Sequence, residues 1–89
     1  MAEISRFFGI VIGMFAEVGE RHHRPHFHAR YQDAMGVYSI DEIELIKGQL
    51  PQPQHRLVLA WAELHRRELR ANWEALGVGE PAAKIEPLR

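Results

Sequence analysis

Cysteine is absent from all 89 residues. That excludes disulfides and thiolate metal sites, and it makes a reducing cytosol the expected compartment. A dominant charge is also missing: 11 lysines and arginines face 12 acidic residues, for a net charge of −1 with neutral histidines. A protein that binds nucleic acid through overall charge alone is therefore not expected. No HExxH motif occurs, and neither does an internal repeat or a low-complexity segment.

Long apolar runs are missing as well. The best candidate is FFGIVIGMFA at residues 7–16, about half the ~20 residues a membrane span needs. As a signal-peptide core it lacks a clearly positive flank, since Glu3 offsets Arg6. No small-x-small cleavage site follows cleanly. A buried strand is the expectation, in a cytoplasmic chain with no membrane segment.

What is present is 46% apolar residues, enough for one domain over residues 1–89. A chain of this length buries only roughly 60–65% of its unfolded surface, so the core is modest and a partner or a dimer would relieve it. Charge is unevenly placed. Residues 21–31 hold three arginines and four histidines without an acid, while Asp41, Glu42 and Glu44 form an acidic knot.

Residues 4–16 are apolar on both alternating faces, which suits a central strand bent at Gly9 or Gly13. Residues 17–24 read as a loop. In residues 25–32, Phe27, Ala29 and Tyr31 alternate with His26, His28 and Arg30, as in a strand with two distinct faces. DAMG at 33–36 supplies a turn, and VYSID and IELIKG read as a short hairpin.

From Pro53 to Leu76 the pattern is helical. Pro53 suits the first turn, and Gly77 suits a left-handed stop with Val78 folding back on Trp73. The tail from Glu80, with Ile85 and Leu88 as anchors, is expected to lie extended along the body. The predicted architecture is α+β: a small antiparallel sheet of about four strands on one long helix. One helix covers one face of such a sheet, so the other must meet water, a partner or a ligand.

On a helical wheel, Leu57, Val58, Trp61, Leu64, Leu69 and Leu76 form an apolar arc, with Leu59 and Trp73 at its edge. Three polar residues, His65, Glu68 and Asn72, fall inside it. Buried polar groups cost on the order of 1–3 kcal/mol unless they are bonded. They either tie the helix to the sheet or line a pocket opposite the histidine strand.

His26 and His28 share a strand face about 6.5–7 Å apart. Four readings fit them. As metal ligands they would need a third, from His65, His22 or Glu68. As an acid–base pair beside Arg24 or Arg30 they could cleave a phosphodiester without metal or cofactor. They could contact RNA without catalysis, or they could be a solvated or protein-binding face. His22, His23 and His55 read as solvent-exposed polarity.

ISRFFGIVIGMF, RPHFHARY, LVLAWAELHRRELRANWEAL and KIEPL together resemble the domain-of-unknown-function 4160 family of small bacterial and archaeal proteins, in the family's order and over nearly the whole chain. The motif positions are His26, Phe27, His28, Trp61, His65, Asn72 and Trp73. The resemblance implies a toxin–antitoxin-like component working beside a second small protein of the domain-of-unknown-function 2442 type. The combined expectation is an RNA-acting site of His26, His28 and His65, with Arg24 and Arg30 as anion contacts and Glu68 and Asn72 as orienting groups. A protein-binding module with structural histidines is the alternative, and metal binding the third.

Overall fold

The computed structural model describes residues 2–15 and 24–89. His22 and His23 lie outside them. Among the described residues the chain forms five strands and two helices, β1 (Ala2–Phe7), β2 (Ile10–Met14), β3 (His26–Tyr31), β4 (Ala34–Ser39), β5 (Leu45–Gln49), α1 (Gln52–Leu64) and α2 (Arg66–Gly77). The strands make one antiparallel sheet in the order β1-β2-β3-β4-β5. The fold is α+β as expected, with two differences in its parts.

The first difference lies in residues 4–16, which are a hairpin rather than one central strand. The chain reverses at Phe8 and Gly9, both at positive φ (+50° and +79°), the pattern of a two-residue type I′ turn. Ile10, Ile12 and Met14 then point inward from β2. A bulge between Glu3 and Ser5 adds Ile4 to the interior from β1. Both strands are rich in apolar residues, which is why the run looked apolar on both faces of a single strand. The next turn falls at Gln32–Asp33, a residue earlier than DAMG, with Gln32 at φ +53°.

The second difference lies in the helix. It breaks at His65 (φ −118°, ψ 26°), whose N–H is shared between the carbonyls of Trp61 and Ala62. Neither glycine nor proline marks this point. The break resets the helical phase. Val58, Trp61, Ala62 and Leu69 are all fully buried, while Leu64, placed by an unbroken wheel in the apolar arc, is 71% exposed. Pro53 does occupy the first turn of α1. At the other end the left-handed residue is Gly79 (φ +83°) rather than Gly77, and Val78 is exposed instead of folding onto Trp73.

α1 covers one face of the sheet, while α2 lies at the strand ends, with Leu69 buried in the core and Trp73 reaching His26 on the other side. Trp61 is the centre of the covered layer, its ring 5.4 Å from Phe7, 5.9 Å from Phe27 and 5.6 Å from His65. Truncating a buried tryptophan of this kind costs about 3–5 kcal/mol. The tail closes the edge at β1. The Ile85 N–H donates to the Ile4 carbonyl, the Trp61 indole N–H donates to the Glu86 carbonyl, and Ile85 is buried. Leu88 packs partly against the same core.

Candidate functional site

The opposite face of the sheet is met by α2 at one end, where Trp73 reaches His26, and is open farther along. Register determines which residues share that face. Across β2, β3, β4 and β5, one row reads Gly13, His28, Val37 and Lys47, and the next reads Val11, Arg30, Met35 and Gln49. Arg6 of β1 lies opposite Val11, but its guanidinium is committed to Glu3 at 2.8 Å. That bond holds the Glu3 carboxyl below the usual carboxylate range. Arg30 and Lys47 are exposed, and Arg30 stands near enough to Glu3 to help lower its carboxyl.

The strand alternation places His26 and His28 together on this face, with ring centroids 5.3 Å apart. They belong to a longer series of rings. Phe15 meets His28 edge-on at 4.6 Å, and Trp73 of α2 meets His26 at 5.1 Å. Trp73 is therefore the helix residue that reaches the strand pair. The His26 Nδ1–H donates to the Arg24 carbonyl at 2.7 Å. A carbonyl can only accept, so in the neutral ring Nδ1 carries the proton and Nε2 the lone pair. Both ring nitrogens of His28 are shielded from solvent.

His65 lies elsewhere. It sits at the helix break on the covered side, against Trp61, and its Nδ1–H donates to the Glu68 carboxylate at 2.6 Å. Among the described residues no ring contact joins it to His26 or His28. The physical reason is strand alternation: Phe27, which Trp61 covers, points away from its two histidine neighbours. Among the described residues no three His, Asp or Glu side chains gather closely enough to hold a metal ion.

Asn72 and Arg24 both have structural partners. Asn72, 4% exposed, donates from Nδ2 to the Ala83 carbonyl and accepts at Oδ1 from the Ala83 N–H, both at 2.8 Å. It holds the tail against α2. Arg24 bonds to Glu42 at 2.5 Å and Glu44 at 3.3 Å, and Arg70 of α2 bonds to Asp41 at 2.5 Å. The acidic knot is thus shared between two arginines that clamp the β4–β5 connection. Hydrogen bonds from Ser39 and Arg24 hold the Glu42 carboxyl below its ordinary range.

His55 is only half-buried at the start of α1. Its Nδ1 shares a hydrogen bond with the Tyr38 hydroxyl at 2.9 Å, and burial pushes that hydroxyl up to about 12. Phe27 stacks on Tyr38 within the core and takes no part in the open face. Lys47 and Phe15 are the open-face residues that the sequence did not single out. Only the β4–β5 register, with its bulge after Val37, shows that Lys47 faces the same way as His28.

Among the described residues, no helix is long and apolar enough to cross a membrane. Nothing among curated proteins or solved structures matches the chain. A family model does match, Domain of unknown function (DUF4160), over residues 9–74. That span runs from the turn of the first hairpin through most of α2, and so includes the histidine strand, the open sheet face apart from β1, and Trp73. The chain belongs to the DUF4160 family.

Proposed function

We propose that this chain is a cytoplasmic component of a toxin–antitoxin-like pair in a prokaryotic cell, acting on RNA through the open face of its sheet. The observation that carries the reading is the company on that face. His26 and His28 lie ring to ring, and the exposed Arg30 and Lys47 share their sheet face. RNA chemistry needs these two kinds of group in one place, a base near neutrality and a cation for the phosphate.

The reaction such a face supports is transesterification at a ribose. His26 Nε2 takes the proton of a 2′-hydroxyl, and the new oxygen–phosphorus bond forms as the bond to the 5′-oxygen breaks. The departing 5′-oxygen takes a proton from solvent, Arg30 neutralises the phosphate, and the shielded His28 ring backs His26 from beside it. His65, Glu68 and Asn72 support the fold that presents this face. The partner is a second small protein, of the domain-of-unknown-function 2442 type, whose binding masks the face.

The test is overexpression with and without His26→Gln and Arg30→Ala. Growth arrest should be relieved by both, with circular dichroism unchanged, and cleaved RNA should carry 2′,3′-cyclic phosphate ends. Arrest that survives both substitutions sinks the proposal. A non-enzymatic protein-binding module is the second reading, favoured by the apolar side chains on the same face: Met35 (41% exposed), Phe15 (38% exposed) and the half-buried Val37. It predicts a stable complex with the partner whose affinity falls on Met35→Glu and is indifferent to His26→Gln.

A further inference from the structure

The open face has a direction. Phe15 lies at one side with its ring edge on His28, and it is 38% exposed. Val37 follows on β4, directly opposite His28, and Lys47 follows on β5, opposite Val37. With strands about 4.8 Å apart, Lys47 stands about 10 Å across the sheet from His28, and Arg30 stands about 6.5–7 Å along β3 from it. An aromatic ring, an apolar floor of Val37 and Met35, and two cations therefore lie on one surface only a few nucleotides wide.

We infer that this surface is a platform for a short single-stranded RNA segment, with Lys47 and Arg30 holding phosphates and Phe15 stacking a base. This deepens the RNA-acting reading and rests on it. Two arguments favour a single strand over a duplex. An exposed ring at the level of the sheet can stack only on a base already out of a helix. A duplex binder also draws its affinity from many neutralised phosphates, whereas this face supplies two exposed cations, Arg30 and Lys47, and the whole chain is close to neutral. An acidic protein segment would use the cations but leave Phe15 unexplained.

The salt dependence makes the inference quantitative. Two phosphate contacts on a single strand give a slope of log K against log salt of about −1.4, and one contact gives about −0.7. The experiment is a fluorescence-anisotropy titration of a labelled ten-residue uridine oligonucleotide at several salt concentrations. Wild type is compared with Lys47→Ala, Arg30→Ala and Phe15→Ala, and thermal melting confirms that each variant is folded.

Wild type should show the steeper slope, either cation variant the shallower one, and Phe15→Ala several-fold weaker binding with the slope unchanged. That slope-preserving loss is a signature that mere structural damage would not produce. Binding that Lys47→Ala and Phe15→Ala leave untouched overturns the platform while the RNA-acting reading stands. Equal affinity for a duplex of the same length, or full displacement by polyglutamate at similar concentration, overturns it as well. No binding of the oligonucleotide by wild type removes both.

Discussion

Asn72 and Ala83 exchange two hydrogen bonds, side-chain amide to backbone in both directions, each 2.8 Å long. An amide side chain can donate and accept at once, here to the carbonyl and from the N–H of a single residue, so it mimics a strand partner for the tail. Asn72 lies on α2 and Ala83 in the extended tail, two residues before Ile85 enters the core. The pair therefore determines where the tail leaves the helix and how Ile85 meets Ile4.

Asn72→Ala should destabilise the fold by about 1–3 kcal/mol, because two hydrogen bonds go and the tail loses its anchor. Asn72→Asp should cost most of the same amount, since it keeps the acceptor but puts a carboxylate against the Ala83 carbonyl. Urea titration checks both. A variant as stable as wild type would show that Ile85 and the Glu86 carbonyl hold the tail without Asn72.

Phe8 is a bulky residue at φ +50°, in a turn position where asparagine or glycine is favoured, and it is 60% exposed. Its one ring neighbour among the described residues is Phe7, at 6.4 Å. Phe8→Asn should therefore raise stability by about 0.5–1 kcal/mol, as the left-handed conformation becomes easier to hold. The readout is the urea midpoint. A lower midpoint would mean that the Phe7–Phe8 contact outweighs the backbone strain.

Tyr38 is buried and its hydroxyl is raised to about 12 by that burial. In the unfolded chain it ionises near 10, so between about 10 and 12 the unfolded state has lost a proton that the folded state keeps. Stability contributed by the neutral phenol is complete below pH 10 and is lost as pH rises toward 12. Tyr38→Phe should flatten this alkaline decline while costing about 1 kcal/mol at neutral pH, where His55 loses its hydrogen-bond partner. Denaturant midpoints from pH 8 to 12 decide it, and an unchanged alkaline limb in the variant rules the assignment out.

Alternation made the histidine strand legible: a period of two leaves His26 and His28 no choice but a shared face, opposite Phe27 and Ala29. The helical span and the anchors in the tail were legible for similar reasons, a 3.6-residue period and isolated apolar residues between prolines. The first hairpin was not, because Phe-Gly is a poor signal for a turn that prefers Asn-Gly, and both of its strands are apolar. The break at His65 was not either. No residue type announces it, and it shows only in which leucines end up buried.

The candidate site divides along the same line. Two histidines and Arg30 on one strand face, the absence of any thiolate, and a sheet face outside the helical layer can all be read along the chain. Each of those follows from local period or composition. Only the tertiary structure decided that His65 belongs to the covered side, that Arg24 is held by Glu42 and Glu44, and that Lys47 joins the open face. Those outcomes depend on strand register, on a bulge, and on which face of the sheet the helices pack against. These are properties of pairing between distant segments, and no window along the chain contains both members of the pair.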